Sequence, residues 1–230
     1  MSTIPAELNA ALEALAGQPA LFQESSFAAR ADALDELDFH VLHRLHGLPT
    51  TAETRRLQQQ ALALQARLEA VNTQLFQQLQ AEIRAGHHAP ASLRQRLLDY
   101  AGPIDTTAAA TGYDHLDVLT NGLFPEPAPL AESPAHDPEM VYYQKTPARI
   151  ICGLAARLSS ADVLYDLGSG LGQVPLLVHL LSGATARGIE IEPSYCRHAQ
   201  HCAAVLDLPQ VQFQCADARR ADFADATAFY

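Results

Sequence analysis

Two rhythms divide the apolar positions of this 230-residue chain. Through residue 124 they recur every three or four residues, the period of helices that bury one face. Pro5 to Ala16 predicts a short helix closed by Gly17, and Phe27 to His46 a second closed by Gly47. Thr50 and Glu53 have the spacing of a capping box for a third helix, whose apolar positions Leu57, Ala61, Leu64, Leu68, Val71 and Leu75 alternate steps of four and three. Running to Gly86, it would be about 50 Å long, with an opposite face rich in Gln, Arg and Glu. Such a stripe needs a partner. Antiparallel packing on the second helix is the first expectation, and homodimerisation through the stripe the alternative. Shorter helices follow at Ser92 to Tyr100 and around Tyr113 to Thr120.

The next stretch, PEPAPLAESPAHDP, carries five prolines and no apolar period. It reads as a linker over 125–139, dividing a helical domain at 1–124 from a second domain at 140–230. Beyond it the rhythm changes. Val163 to Leu167, Ala186 to Ile191 and Val211 to Cys215 read as strands, with helices at Thr146 to Ser159, Leu171 to Ser182 and Ser194 to Leu206. ATAFY at the end begins a fourth strand. The predicted class is α/β: a doubly wound, Rossmann-like core with an incomplete sheet, preceded by an all-α domain. A terminal apolar strand with no helix to cover it implies either a longer protein or a partner that supplies the remaining layer.

Chemistry concentrates at the end of the first strand, in VLYDLGSGLGQ. A dinucleotide fingerprint would place glycine where Gln173 stands, so the register of Gly168, Gly170 and Gly172 is wrong for it. Asp166 sits two residues before the first glycine, where a carboxylate would repel a pyrophosphate and attract a cation. S-adenosylmethionine has no phosphate, and carries a positive amino group and a sulfonium. It suits D-x-G-x-G-x-G, whose glycines let the backbone approach the amino-acid moiety. Glu190, 22 residues after Gly168, is placed to accept both ribose hydroxyls, with Glu192 the lesser candidate. Asp217, after the third strand, is placed to accept the adenine amino group. Three acids at the ends of three successive strands point to a methyltransferase. A nicotinamide or flavin oxidoreductase competes, disfavoured by Asp166 and the glycine register.

Charge and cysteine usage narrow the partners. A formal net charge of −11, with no dense basic cluster, disfavours nucleic acid as a partner. Lys145 is the only lysine. Cys152, Cys196, Cys202 and Cys215 lack paired C-x-x-C spacing, and VPLLVHLL is far short of a bilayer span, so a cytoplasmic chain with no membrane partner is expected. His40, His43 and His46 rotate by about −60° per step on a helix and do not converge on one ion, and no metal is expected.

EMVYYQKTPARII, DVLYDLGSGLGQVPLLV and RGIEIEPSYCRHA together resemble the catalytic core of the non-SET histone lysine methyltransferases, the disruptor of telomeric silencing family. That family carries V-Y-x-x-T before the first strand, D-L-G-S-G-x-G-Q in the loop and G-[VI]-E at the ribose strand. The resemblance runs from Met140 to Asp217, under half of the chain. It implies a class I S-adenosylmethionine-dependent methyltransferase, with Asp166, Gly168, Ser169, Gly170, Gly172, Gln173, Glu190 and Asp217 at the cofactor. It also implies that Tyr143 to Thr146 closes over the methionine end. Tyr142, Tyr143 and Thr146 are the acceptor-channel candidates. Lys145 stands where the family has an acid, and the family's basic extension is absent, so the histone substrate is not carried over. The acceptor is left as protein lysine, another amine or a small molecule. A non-catalytic helical interaction protein with a degenerate cofactor domain is the remaining alternative.

Overall fold

The computed structural model describes residues 4–103, 112–127 and 144–230. They fall into two compact units, Met1–Gln78 with Asp99–Gly102, and Leu79–Leu98 with Pro103–Tyr230. This division cuts the long third helix rather than the proline-rich stretch, because residues 79–98 and 115–121 are built into the sheet-bearing unit. There Arg94 donates to the Leu181 carbonyl at 2.9 Å, and Gln80 to the Leu123 carbonyl at 3.1 Å. Most of the predicted linker lies outside the described residues.

In the first unit, α1 (Ile4–Ala16) and α2 (Phe27–Asp35) are followed by a π-helical stretch, Glu36–Leu42, that runs into α3 (His43–His46). The sequence predicted one regular helix over 27–46. Instead the His43 N–H reaches back five residues to the Asp38 carbonyl, a wider turn that shifts the phase of the helix. The long helix is α4 (Ala52–Arg84). Its capping box is one residue later than expected. Thr51 and Thr54 exchange backbone N–H to hydroxyl bonds of 3.1 and 2.9 Å, with the Thr54 hydroxyl in the role assigned to Glu53.

The α4 stripe is buried at Leu57, Ala61, Leu64, Leu68 and Leu75, and half-buried at Val71. Its members Leu57, Ala61, Leu64 and Leu68 share one cluster with Leu8, Leu12, Leu21, Ala33, Leu37, Val41 and Leu45. The stripe is thus covered within the chain, by α1 as well as by the second helical segment. Beside it Arg30 is fully buried, its Nε donating to Asn72 at 2.6 Å and its Nη1 to the carbonyls of Leu21 and Gln23 at 2.9 and 2.8 Å.

The second unit adds most of α5 (Pro90–Ala101, whose last three residues belong to the first unit), α6 (His115–Asn121) and α7 (Ala148–Ala155) to the sheet β1 (Val163–Leu167), β2 (Thr185–Glu190), β3 (Val211–Cys215) and β4 (Ala228–Phe229). Helices α8 (Gln173–Ser182) and α9 (Pro193–Val205) make the crossovers. The sheet is all parallel, in the order β3-β2-β1-β4, so the fold is α/β as the alternation predicted. ATAFY does form the fourth strand, beside β1. Because β1 is flanked by β2 on one side and β4 on the other, the chain reverses direction there, the switch point where such sheets open a crevice. Tyr165 on β1 packs edge-on against Phe223, in the β3–β4 connection, at 5.1 Å, and Phe223 packs against Phe229 of β4 at 5.6 Å. Helix α7 starts after Pro147, whose extended ψ of 133° keeps Thr146 out of the helix. Among the described residues no helix is long and apolar enough to cross a membrane.

Candidate functional site

The carboxyl end of β1 meets the carboxyl end of β2, and the ladder sets Asp166 opposite Gly188 and Leu167 opposite Ile189. From there the chain turns through Gly168, Gly170 and Gly172, all at positive φ, into α8. At Gly172 glycine is required twice over. Its φ is 85°, and a Cβ there would stand 2.6 Å from Ala199 and 2.7 Å from the Phe213 ring. At Gly168 a Cβ would meet nothing within 4 Å, so the positive φ of 88° is the constraint and the space beside it is open.

The loop is hung on β2. The N–H groups of Gly168 and Ser169 both donate to the Ile189 carbonyl, at 2.8 and 3.0 Å. The Gly170 N–H donates to Glu190 Oε2 at 2.7 Å, and the Glu192 N–H to Glu190 Oε1, also at 2.7 Å. Glu190, assigned from the sequence to a ribose, is therefore first a clamp between the loop and the β2–α9 turn. Each oxygen has a second lone pair left to accept from a ligand.

Asp166 is buried, at 4% exposure. Loss of solvent, and then the charge of Glu190, push its carboxyl up to about 7. Burial and a second acid act on this carboxyl, and among the described residues no cation offsets them. Gln173 and Ser169 are 7% and 6% exposed, and the Gln173 Oε1 and Nε2 and the Ser169 hydroxyl find no hydrogen-bond partner among the described residues. Leaving such atoms unpaired costs about 1–3 kcal/mol each, and a ligand with donors and acceptors at this loop relieves that cost.

Asp217 lies just past β3, but its carboxylate faces Arg219, which donates from its backbone N–H and Nε at 3.0 Å and from Nη2 at 2.8 Å. These bonds hold its pKa down. Its assignment to an adenine amino group from the sequence took no account of Arg219. Thr146 places its hydroxyl 3.1 Å from the Tyr230 hydroxyl. Tyr142 and Tyr143 lie outside the described residues. Leu167, Ile191 and Tyr230, at or just past the ends of β1, β2 and β4, are 44%, 47% and 45% exposed and form an apolar rim that the sequence reading missed. A large apolar residue directly after each strand-end acid, Leu167 after Asp166 and Ile191 after Glu190, was the available signal. Among the described residues no group of three or more His, Cys, Asp or Glu side chains is placed to hold a metal ion.

No protein-family model matches the chain, and no curated protein matches it. Solved structures do. An RNA methyltransferase from Salinibacter ruber, crystallised with S-adenosyl-L-homocysteine, is 35% identical over 37% of this chain and 58% of its own, at a TM-score of 0.34. A SAM-dependent methyltransferase from Thiobacillus denitrificans, with the same compound, is 27% identical over 35% of this chain and 34% of its own, at 0.31. Coclaurine N-methyltransferase, bound to N-methylheliamine and SAH, is 13% identical over 66% of this chain and 51% of its own, at 0.29. The chain thus spans less than two thirds of each of these proteins.

Proposed function

We propose that the chain is a class I methyltransferase that binds S-adenosylmethionine at the carboxyl ends of β1 and β2 and transfers its methyl group to an amine, of which protein lysine is one candidate. The observation that carries this reading is Asp166. A buried carboxyl pushed up to about 7 by burial and a neighbouring acid, beside an open glycine loop, is a site for a cation. It is no place for a pyrophosphate.

The residues fit the cofactor group by group. Asp166 would hold the amino group, while the orphaned amide of Gln173 and hydroxyl of Ser169 would serve the amino-acid end. The spare lone pairs of Glu190 would accept from ribose hydroxyls. Leu167, Ile191 and Tyr230 offer an apolar rim for a planar base. Asp217 would accept from the base only once its bonds to Arg219 are shared or broken. The cofactor supplies an electrophilic methyl group, and what the protein adds is alignment for in-line attack. Thr146, with Tyr142 and Tyr143, is proposed to line the approach of the acceptor.

Calorimetric titration of the chain with S-adenosylhomocysteine and with NADH tests the reading. Binding of the homocysteine compound with none of NADH is expected; the reverse result would sink the proposal.

A further inference from the structure

We propose that Asp117, on α6 and outside every residue assigned so far, is a positioning residue for the methionine end of the cofactor. The inference rests on the methyltransferase reading and deepens it. Asp117 is 6% exposed. One carboxylate oxygen accepts the Asp114 N–H and the other the Ala148 N–H, both at 2.8 Å. The second bond matters most. Ala148 opens α7, so its N–H is one of the donors a helix cannot satisfy by itself, and Asp117 supplies the acceptor from 31 residues away. Asp114 caps α6 through the Leu116 N–H at 2.8 Å and pairs with Arg149 of α7. Two further links hold the stretch before α7. The Tyr113 hydroxyl donates to the Lys145 carbonyl, and Lys145 Nζ donates to Asn121 Oδ1 at 3.2 Å.

What α6 grips is thus the segment Lys145–Arg149, and this segment reaches the site. The Thr146 hydroxyl meets the Tyr230 hydroxyl, and the Tyr230 carbonyl accepts the Leu167 N–H at 3.1 Å, one residue before Gly168. A line of hydrogen bonds therefore runs from α6 through Thr146 and Tyr230 to the root of the glycine loop. Asp117 acts on the amino-acid end of the ligand through this line, without touching it.

The test is calorimetry on the full chain with S-adenosylhomocysteine and with methylthioadenosine, which keeps the nucleoside but lacks the amino-acid end. Asp117→Asn keeps the size and turns an NH2 toward one of the two N–H donors. It is expected to weaken S-adenosylhomocysteine about tenfold and methylthioadenosine less than about twofold. A merely structural carboxylate would weaken both in parallel. Parallel loss, or no change in either, overturns the proposal. Should Asp117→Asn not fold, Tyr113→Phe removes only an exposed hydroxyl, and a loss of about threefold confined to S-adenosylhomocysteine is expected; equal effects on the two ligands overturn the proposal there as well. Wild-type chain that binds neither ligand removes the methyltransferase reading and this inference with it, whereas wild-type binding with a parallel response in the variants removes this inference alone.

Discussion

The two units treat their buried polar groups differently. In the helical unit Arg30, fully buried, is turned onto Asn72 and the carbonyls of Leu21 and Gln23, so three bonds to the chain itself offset most of its desolvation and only Nη2 is without a partner among the described residues. In the sheet unit Asp166 is left with a raised pKa, and the Gln173 amide and Ser169 hydroxyl are buried without partners among the described residues. The first arrangement spends its polarity on stability. The second holds polarity in reserve at one end of a sheet, which costs stability until something binds.

A mutation that harms one property in one unit should therefore spare it in the other. The largest effect is expected from Leu68→Ala, which opens a cavity in the helical core. It should lower unfolding free energy by about 2–5 kcal/mol in a denaturant titration, while the affinity of folded protein for S-adenosylhomocysteine is unchanged. Asp166→Asn should do the opposite, weakening S-adenosylhomocysteine about 100-fold by calorimetry, with no loss of stability in the free protein. Equal damage to stability from both variants would erase the distinction.

Acidity sharpens the comparison further. The folded pKa of Asp166, about 7, lies above its ordinary value of 3.8. Its contribution to stability is therefore present in full below the ordinary value and is lost as pH rises through about 7. Binding a cation demands the ionised form, so below pH 7 the protein must first release a proton. S-adenosylhomocysteine affinity should then fall by up to about tenfold per pH unit on acidification from 7, and the Asp166→Asn variant should lose that dependence. An identical pH profile in the variant would mean that another group titrates. The smallest effect is expected from Gln173→Met, which exchanges an orphaned amide for an apolar side chain of similar length. The free protein should gain about 1 kcal/mol by thermal denaturation, while the ligand loses about fivefold in affinity. Loss of stability would show that the amide does have a partner inside the fold.

What was legible in the sequence follows from period and from local geometry. The bounds of β1 and β3, the apolar stripe of α4, the glycine loop and the place of Asp166 two residues before it all depend on neighbours within a few residues, and a single strand or helix encodes them. The capping box slipped by one residue because a second threonine, Thr54, offers the same hydroxyl geometry as the expected acid. The phase shift at Glu36–Leu42 left no mark in composition.

The rest depends on partners brought in from far along the chain. Spacing from Gly168 puts Glu190 at the end of the second strand, but does not show that Gly170 and Glu192 will occupy both of its oxygens. It places Asp217 at a strand end without showing that Arg219 folds back on it. It gives no reason to single out Asp117, whose acceptor role exists only once α6 lies against the start of α7. Period and spacing along the chain establish which stripe of α4 is apolar and which loop can bend. Which buried polar atoms are satisfied and which are left for a ligand is settled by the fold, because a hydrogen bond needs two groups within about 3 Å, and periodicity records one of them at a time.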